Sequence, residues 1–121
     1  MITQIPLGGS SGSGPYPAYP PVTEIDAVPS EGATIATPAT REDVVVRLSA
    51  GAQRTSVSVV LPNPASWRIR QIAFIHSTDG INELMVTAAP GITVNNFMAD
   101  IQPGDCLAYF RISETIWARI Q

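Results

Sequence analysis

The chain contains one histidine and one cysteine, so the residue types that most often carry catalysis are scarce. His76 closes an apolar run and precedes the Ser77–Gly80 loop, where a local hydrogen bond is favoured over a catalytic role, because a triad also needs a serine on an exposed, strained turn. A structural zinc site needs four Cys or His ligands, and two are too few. We therefore expect no catalytic, cofactor-binding or metal site, and no enzymatic activity.

The carboxylates and arginines form no recognisable site either. A glycosidase needs two acids about 5–9 Å apart, and no spacing in the sequence brings two carboxylates face to face. Arg68 and Arg70 share one strand face, which is compatible with an anion-binding stripe. Two such arginines are more typical of a solvent-exposed face, or of a sheet edge whose charges prevent another strand from pairing with it. The Gly8–Gly14 run follows no strand and precedes no helix, so it predicts a linker and not a phosphate-binding loop.

Composition favours an all-β protein that associates with other proteins. Val, Ile and Thr are frequent, no segment has helical composition, and the 121 residues suffice for one domain. Residues 41–121 hold as many arginines as carboxylates, so the net charge of −3 belongs to residues 1–40. A neutral domain in a chain that is 45% hydrophobic tends to associate.

Nucleic acid and membrane are not expected as partners. Neutralising phosphates requires clustered basic residues, whereas this chain is acidic and has no lysine. No segment has the eighteen apolar residues of a membrane span, and the N-terminus lacks the pattern of a signal peptide. We expect the protein to be made in the cytoplasm.

Residues 1–40 hold seven of the eleven prolines and five of the nine glycines. This composition is typical of flexible and polyproline-like segments. Such a segment buries too little apolar surface to offset roughly 1–2 kcal/mol of backbone entropy per residue, so we expect an extended N-terminal arm that becomes ordered on a partner. The residues expected to bind the partner are Tyr16, Tyr19, Val22, Ile25, Glu24 and Asp26.

From residue 41 onward, short apolar runs alternate with turn residues, which predicts a β domain over residues 41–121. About seven strands without a helix predict an antiparallel β-sandwich or a jelly-roll-like barrel. The predicted strands cover 44–48, 55–61, 68–76, 83–88, 92–95, 106–112 and 115–120.

The last two strands form a predicted terminal hairpin whose faces differ. One face of the first strand carries Cys106, Ala108, Phe110 and Ile112 and is wholly apolar, which favours a buried free thiol at Cys106. The opposite face is mixed, and either this face or the first strand of the domain is expected to form a homotrimer interface. The residues expected at this interface are Val44, Val46, Leu107, Tyr109 and Trp117.

The order of these elements resembles a small β domain of tailed-phage virion proteins, over about two-thirds of the chain. The motifs that carry the resemblance are Leu61-Pro62, Arg68–Ile75, Thr78-Asp79-Gly80, Leu84–Thr87, Gly91–Asn95, Pro103-Gly104-Asp105 and Thr115–Ile120 with its Trp117. The resemblance implies a structural role in the virion and frequent trimers, and it implies no catalytic residues.

Within that family, a compact domain with an arm matches a capsid decoration (cement) protein. Such a protein would lie on the capsid surface of the virion, and its arm would bind the major capsid protein and bridge neighbouring subunits. A tail-fibre, spike or head-fibre component and a non-viral carbohydrate- or peptide-binding β-module are the alternatives.

Overall fold

The computed structural model describes residues 11–12, 14–15, 21–62 and 69–120. These residues form strands and turns without any helix, which confirms the predicted all-β class, and no helix in these ranges is available to cross a membrane. The strands are β1 (Ser11–Gly12), β2 (Gly14–Pro15), β3 (Val22–Ala27), β4 (Thr34–Ala36), β5 (Asp43–Leu48), β6 (Arg54–Val60), β7 (Ile72–Ser77), β8 (Ile81–Thr87), β9 (Thr93–Asn95), β10 (Met98–Ile101), β11 (Cys106–Ser113) and β12 (Ile116–Arg119).

Strands β3 to β8 wind as a β-solenoid of three coils. Alternate strands enter two sheets, so that β3, β5 and β7 lie side by side in one sheet and β4, β6 and β8 in the other. All four pairings within these two sets are parallel. The prediction of an antiparallel sandwich or a jelly-roll-like barrel is therefore wrong. Each of these strands pairs with the equivalent strand of the next coil and not with its neighbour in the sequence.

Turn residues mark the two corners of each coil. At one corner Gly32 and Gly51 adopt φ of 76° and 82°, a left-handed conformation that side chains disfavour. At the other corner Pro38, Pro62 and Pro90 each lie two or three residues beyond the strand that precedes them. Proline ends a strand because it has no N–H for the ladder.

The C-terminal strands close one end of the solenoid. In the smaller sheet β10 pairs antiparallel with β8, giving the order β10-β8-β6-β4. In the larger sheet β11 pairs antiparallel with β7, β12 forms the predicted hairpin with β11, and β9 pairs parallel with β12. The six-stranded order is β3-β5-β7-β11-β12-β9, which places β3 and β4 at the opposite end of the stack.

The core lies between the two sheets. Alternate residues of β5 and β6 are fully buried and meet equivalent residues of β7 and β8. The core residues include Val44, Val46, Leu48, Val57, Val59, Ile75, Leu84, Val86, Tyr109 and Trp117.

Val44, Val46, Leu107, Tyr109 and Trp117, expected at an oligomer interface, instead lie within this core and are at most 8% exposed. The predicted interface is therefore wrong. The hairpin presents its mixed face inward because the large rings fill the space between the sheets: the Tyr109 hydroxyl donates to the Asn96 carbonyl at 2.7 Å. Burial raises the pKa of Tyr109.

A row of buried polar groups closes the interior beside the proline corner. The Arg111 guanidinium carbon lies 5.1 Å from the centre of the Trp117 ring. The Nε and Nη2 atoms of Arg111 donate to the carbonyl oxygens of Ser113 and Glu114. Burial lowers the pKa of Arg111. The neighbouring Gln71 amide donates to the carbonyls of Thr40 and Glu42 at 2.8 and 2.7 Å. These bonds fix the hairpin turn and the corner that leads into β5.

Residues 22–36, expected in the extended arm, belong to the two sheets. β3 pairs with β5 over its whole length, and β4 pairs with β6. Glu31 caps this first coil, since its two carboxylate oxygens accept the N–H groups of Thr55 and Ser56 at 2.8 Å each. The ordered region therefore begins well before residue 41, while Tyr16 and Tyr19 lie outside the described residues.

Candidate interaction surfaces

The side of the six-stranded sheet that faces away from the core is apolar across its centre; we call it the outer face. Cross-strand pairing places Val45 beside Phe74 and Phe74 beside Ala108, and in the next row Ile72 beside Phe110 and Phe110 beside Ala118. Because paired residues share one side of a sheet, these side chains form one continuous surface. The outer face consists of Val45, Ile72, Phe74, Ala108, Phe110, Ile112, Ile116, Ala118 and Ile120.

Several of these side chains remain accessible in the single chain. Phe74 is 37% exposed, Ile112 45% and Ile120 58%. Isolated apolar residues on a surface need no explanation, but a contiguous apolar patch of several hundred Å² is uncommon on a monomer and marks an interaction site.

The smaller sheet has a different exterior. Its outward residues are mainly short and polar, and pairing brings Thr34 beside Ser58 and Ser56 beside Glu83. The larger apolar side chains on this side are Val60, Met85 and Met98, of which Met98 pairs with Met85 and is 44% exposed. The contrast between the two exteriors indicates that water covers the smaller sheet, whereas the larger sheet is suited to another surface.

A charged row borders the outer face at the glycine corner. Arg47 lies beside Asp26 on β3 and beside His76 on β7, and His76 lies beside Cys106. The Arg47 guanidinium bonds Asp26 at 2.6 Å and Glu24 at 2.8 Å. The hydrogen bond from Arg47 lowers the pKa of Asp26, and the bonds to Asp26 and then Glu24 raise the pKa of Arg47.

The β3 strand is the edge of the larger sheet at the open end of the solenoid. It pairs with β5 on one side, and the sheet order of the described strands puts none on its other side. Its inward residues Thr23, Ile25 and Ala27 are only half-buried. Among the described strands, the edge therefore leaves backbone groups without a ladder partner and part of the apolar interior incompletely covered.

A shallow apolar groove lies at the opposite end, beside the last proline corner. It encloses about 300 Å³ and is lined by residues that include Val86, Ala89, Pro90, Ile92 and Phe97. Phe97 is 49% exposed at its rim. None of its lining residues is charged, so the groove offers apolar contact area but no group for catalysis or ion binding.

Among the described residues, no group of three or more His, Cys, Asp or Glu side chains is placed to hold a metal ion. Cys106 is half-buried on the outer side of the sheet and not in the core where the sequence placed it, and burial raises the pKa of its thiol. A thiol with a raised pKa is mostly protonated at neutral pH, which does not favour nucleophilic chemistry.

The predicted partner-binding residues fall into separate groups. Val22, Glu24 and Asp26 lie on the exposed side of β3, and Ile25 lies on its inward side. The sequence missed Phe74, Phe110, Ile112 and Ile120 as surface residues, although it identified the apolar side of the hairpin correctly. The missed signal was that both sides of the hairpin are apolar enough to be buried, so one of them had to face outward.

Comparison with protein-family models, with curated proteins and with solved structures finds no match to the chain.

Proposed function

We propose that this chain is a structural, non-enzymatic virion protein that assembles as a homotrimer through the outer face and decorates the capsid of a tailed phage. The observation that carries the proposal is the outer face itself, where Phe74, Ile112 and Ile120 would otherwise remain in water. Covering apolar surface contributes about 25 cal/mol per Å², and the core of a homo-oligomeric interface is more apolar than ordinary surface. The placement in a phage particle rests on the resemblance of the motifs described above.

Further copies of the chain are the occupant that fits this face best. A surface built for an anionic membrane carries lysine or arginine at its rim, whereas the rim here holds Glu24, Asp26 and Asp43, and Arg47 is already paired with two of them. An uncharged centre needs no complementary charges on its partner, so the outer faces of three copies can pack together around a three-fold axis.

In this proposal the residues before β3 bind the major capsid protein. Tyr16 and Tyr19 would serve as apolar anchors, because aromatic side chains bring large contact areas with few rotatable bonds. The prolines around them lower the conformational entropy lost on docking. Three such segments per trimer act together by raising the effective concentration of each at the capsid.

A tail-fibre or spike component is the second candidate, and the solenoid is the observation that favours it. Coils stack along one axis, and the end formed by β3 and β4 is an open edge among the described strands. Repeat proteins of this kind are extended by adding units at an end, which suits an elongated appendage.

Deletion of residues 1–21 tests the decoration role, because the cut removes β1 and β2 but ends before β3 and spares both sheets of the solenoid. The truncated chain should keep its melting temperature and its oligomeric mass but bind purified capsids at least tenfold more weakly than the full chain. A double variant with Tyr16→Ala and Tyr19→Ala should show most of the same loss. Equal capsid binding by the truncated and full chains would refute the role of this segment.

A further inference from the structure

We propose that the free edge of β3 is a docking site for an extended strand of another protein, one whose outward residues are lysine or arginine. The site is distinct from the outer face, and the inference depends neither on trimer assembly nor on the partner being a capsid protein. It rests on three features of β3: its backbone, its half-buried inner residues and its acidic outer residues.

The backbone of β3 offers a regular set of groups at this edge that no other described strand pairs. The carbonyl of Ala27 accepts the N–H of Ser49 at 2.9 Å, so the backbone groups of Ala27 point toward β5. In a parallel ladder this direction alternates along the strand, and Ile25 and Thr23 therefore also bond toward β5. The N–H and C=O groups of Val22, Glu24 and Asp26 point the opposite way, where an added strand would meet them.

The inner residues of β3 are incompletely covered. Ile25 and Ala27 pack against the core but remain half-buried, whereas Val46 and Leu48, their neighbours on β5, are fully buried. The difference arises because, among the described strands, β5 has a neighbour on both sides and β3 has one. An added strand with apolar inward residues would give Ile25 the same environment as Val46.

The outer residues of β3 select the charge of the partner. The side chains of Glu24 and Asp26 are 58% and 72% exposed, and Arg47 balances only one of their two charges. Opposite charges on directly facing residues stabilise a strand pair, and like charges destabilise it. The favoured partner strand therefore alternates basic outward residues with apolar inward ones.

The same charges disfavour this chain as its own partner at this edge. When β3 pairs with a second β3 over most of its length and with matching faces, Glu24 or Asp26 faces another carboxylate, in either strand orientation. The chain before β3 is no better suited, because residues 1–40 contain no basic residue and prolines stand at 15, 17, 20 and 21. A strand of a different, basic protein is the remaining occupant.

The test uses the full chain and a synthetic peptide, Thr-Val-Arg-Val-Arg-Val-Thr, with a second peptide that has Glu in place of both Arg residues. At saturating Arg peptide, the exchange of the Val22, Glu24 and Asp26 amide hydrogens with solvent should slow at least tenfold. The amides of Thr23 and Ile25 should change much less, because they already bond β5. The Glu peptide should have no effect at the same concentration.

Two variants distinguish the contribution of the β3 backbone to peptide binding from the contribution of its charge. Glu24→Pro removes an N–H that does not bond β5, so it should keep the melting temperature near that of Glu24→Gln and weaken binding of the Arg peptide at least tenfold. Glu24→Gln should weaken it about threefold, and Glu83→Gln on the smaller sheet should leave it unchanged. The proposal is overturned if the edge amides are not protected, if the Glu peptide protects them equally, or if Glu24→Pro binds the Arg peptide as well as Glu24→Gln does.

Discussion

Replacing Ile112 and Ile120 by threonine should dissociate the proposed trimer without unfolding the chain. Both residues lie on the outer face, and their exposed fractions of 45% and 58% together amount to about one whole isoleucine side chain per protomer. Burying that much apolar surface contributes about 1.5–3 kcal/mol. Over three protomers the double variant should lose about 5–9 kcal/mol of trimer stability, which raises the concentration of half-dissociation about 50-fold or more.

Sedimentation velocity over a range of concentrations measures this change directly, with circular dichroism to confirm that the fold persists. The matched control replaces Val28 and Met98 by threonine, since both are exposed apolar residues away from the outer face, at 78% and 44%. The control should sediment as the unmodified chain does. If it dissociates as readily as the Ile112/Ile120 variant, or if that variant associates normally, assembly does not use the outer face.

Three further predictions concern the stability of the solenoid. The pKa values of Asp26 and Glu31 are lowered from 3.8 and 4.5 by hydrogen bonds from Arg47 and from the Thr55 amide, so their contribution to stability is complete above about pH 5 and is lost as the pH falls through the lowered values. Protection factors of the Thr23 and Ile25 amides, which correct the exchange rate for its intrinsic pH dependence, should therefore fall between about pH 5 and pH 3 before those of the β5–β8 core, and a simultaneous fall in both would contradict this. Gly51→Ala should lower the free energy of unfolding, measured by chemical denaturation, by about 1–2 kcal/mol, because φ at Gly51 is 82°. The control is Gly80→Ala, which should lower it less because φ at Gly80 is not left-handed and an added Cβ meets only ordinary contacts. Tyr109→Phe should lower the free energy of unfolding by about 0.5–1.5 kcal/mol, because it removes the 2.7 Å hydrogen bond to the Asn96 carbonyl. An unchanged denaturation midpoint would show that this hydrogen bond adds no stability.

The sequence predicted the central strands well because their patterns are local. The runs at 44–48 and 55–61 match β5 and β6 to within one residue, and the terminal hairpin matches β11 and β12. β3 and β4 were missed because they lie among prolines and glycines and carry only Ile25 and Ile35 as large inward residues. Proline and glycine marked the solenoid corners here, although the same composition also indicates an extended arm.

The parallel winding was not recognisable from spacing, because the coils differ in length. In the larger sheet Val22 pairs with Asp43, 21 residues on, whereas Val44 pairs with Ala73, 29 residues on. In the smaller sheet the corresponding separations are 24 residues from Ile35 to Val59 and 27 from Val59 to Val86. A solenoid is usually recognised by a fixed period, and this chain has none.

The sequence placed the predicted interface on the inward side of the hairpin for a different reason. Alternation shows which residues of β11 share a side, and this was correct for Phe110 and for Tyr109. It does not show which side meets the opposite sheet, because that depends on the combined volume of side chains from both sheets. The outer face could therefore be proposed as an interaction surface only after the two sheets were placed face to face.

Hydroxyl-radical labelling of the full chain, read by mass spectrometry, tests the central claim most directly because it reports which side chains are covered. The measurement compares a concentration at which the chain is assembled with one at which it is dissociated. Labelling of Phe74 and Ile112 should fall several-fold on assembly, while Phe97 and Met98, which lie off the outer face, should be labelled equally in both states. Unchanged labelling of Phe74 and Ile112 in the assembled protein, or protection of Phe97 and Met98 instead, would contradict it.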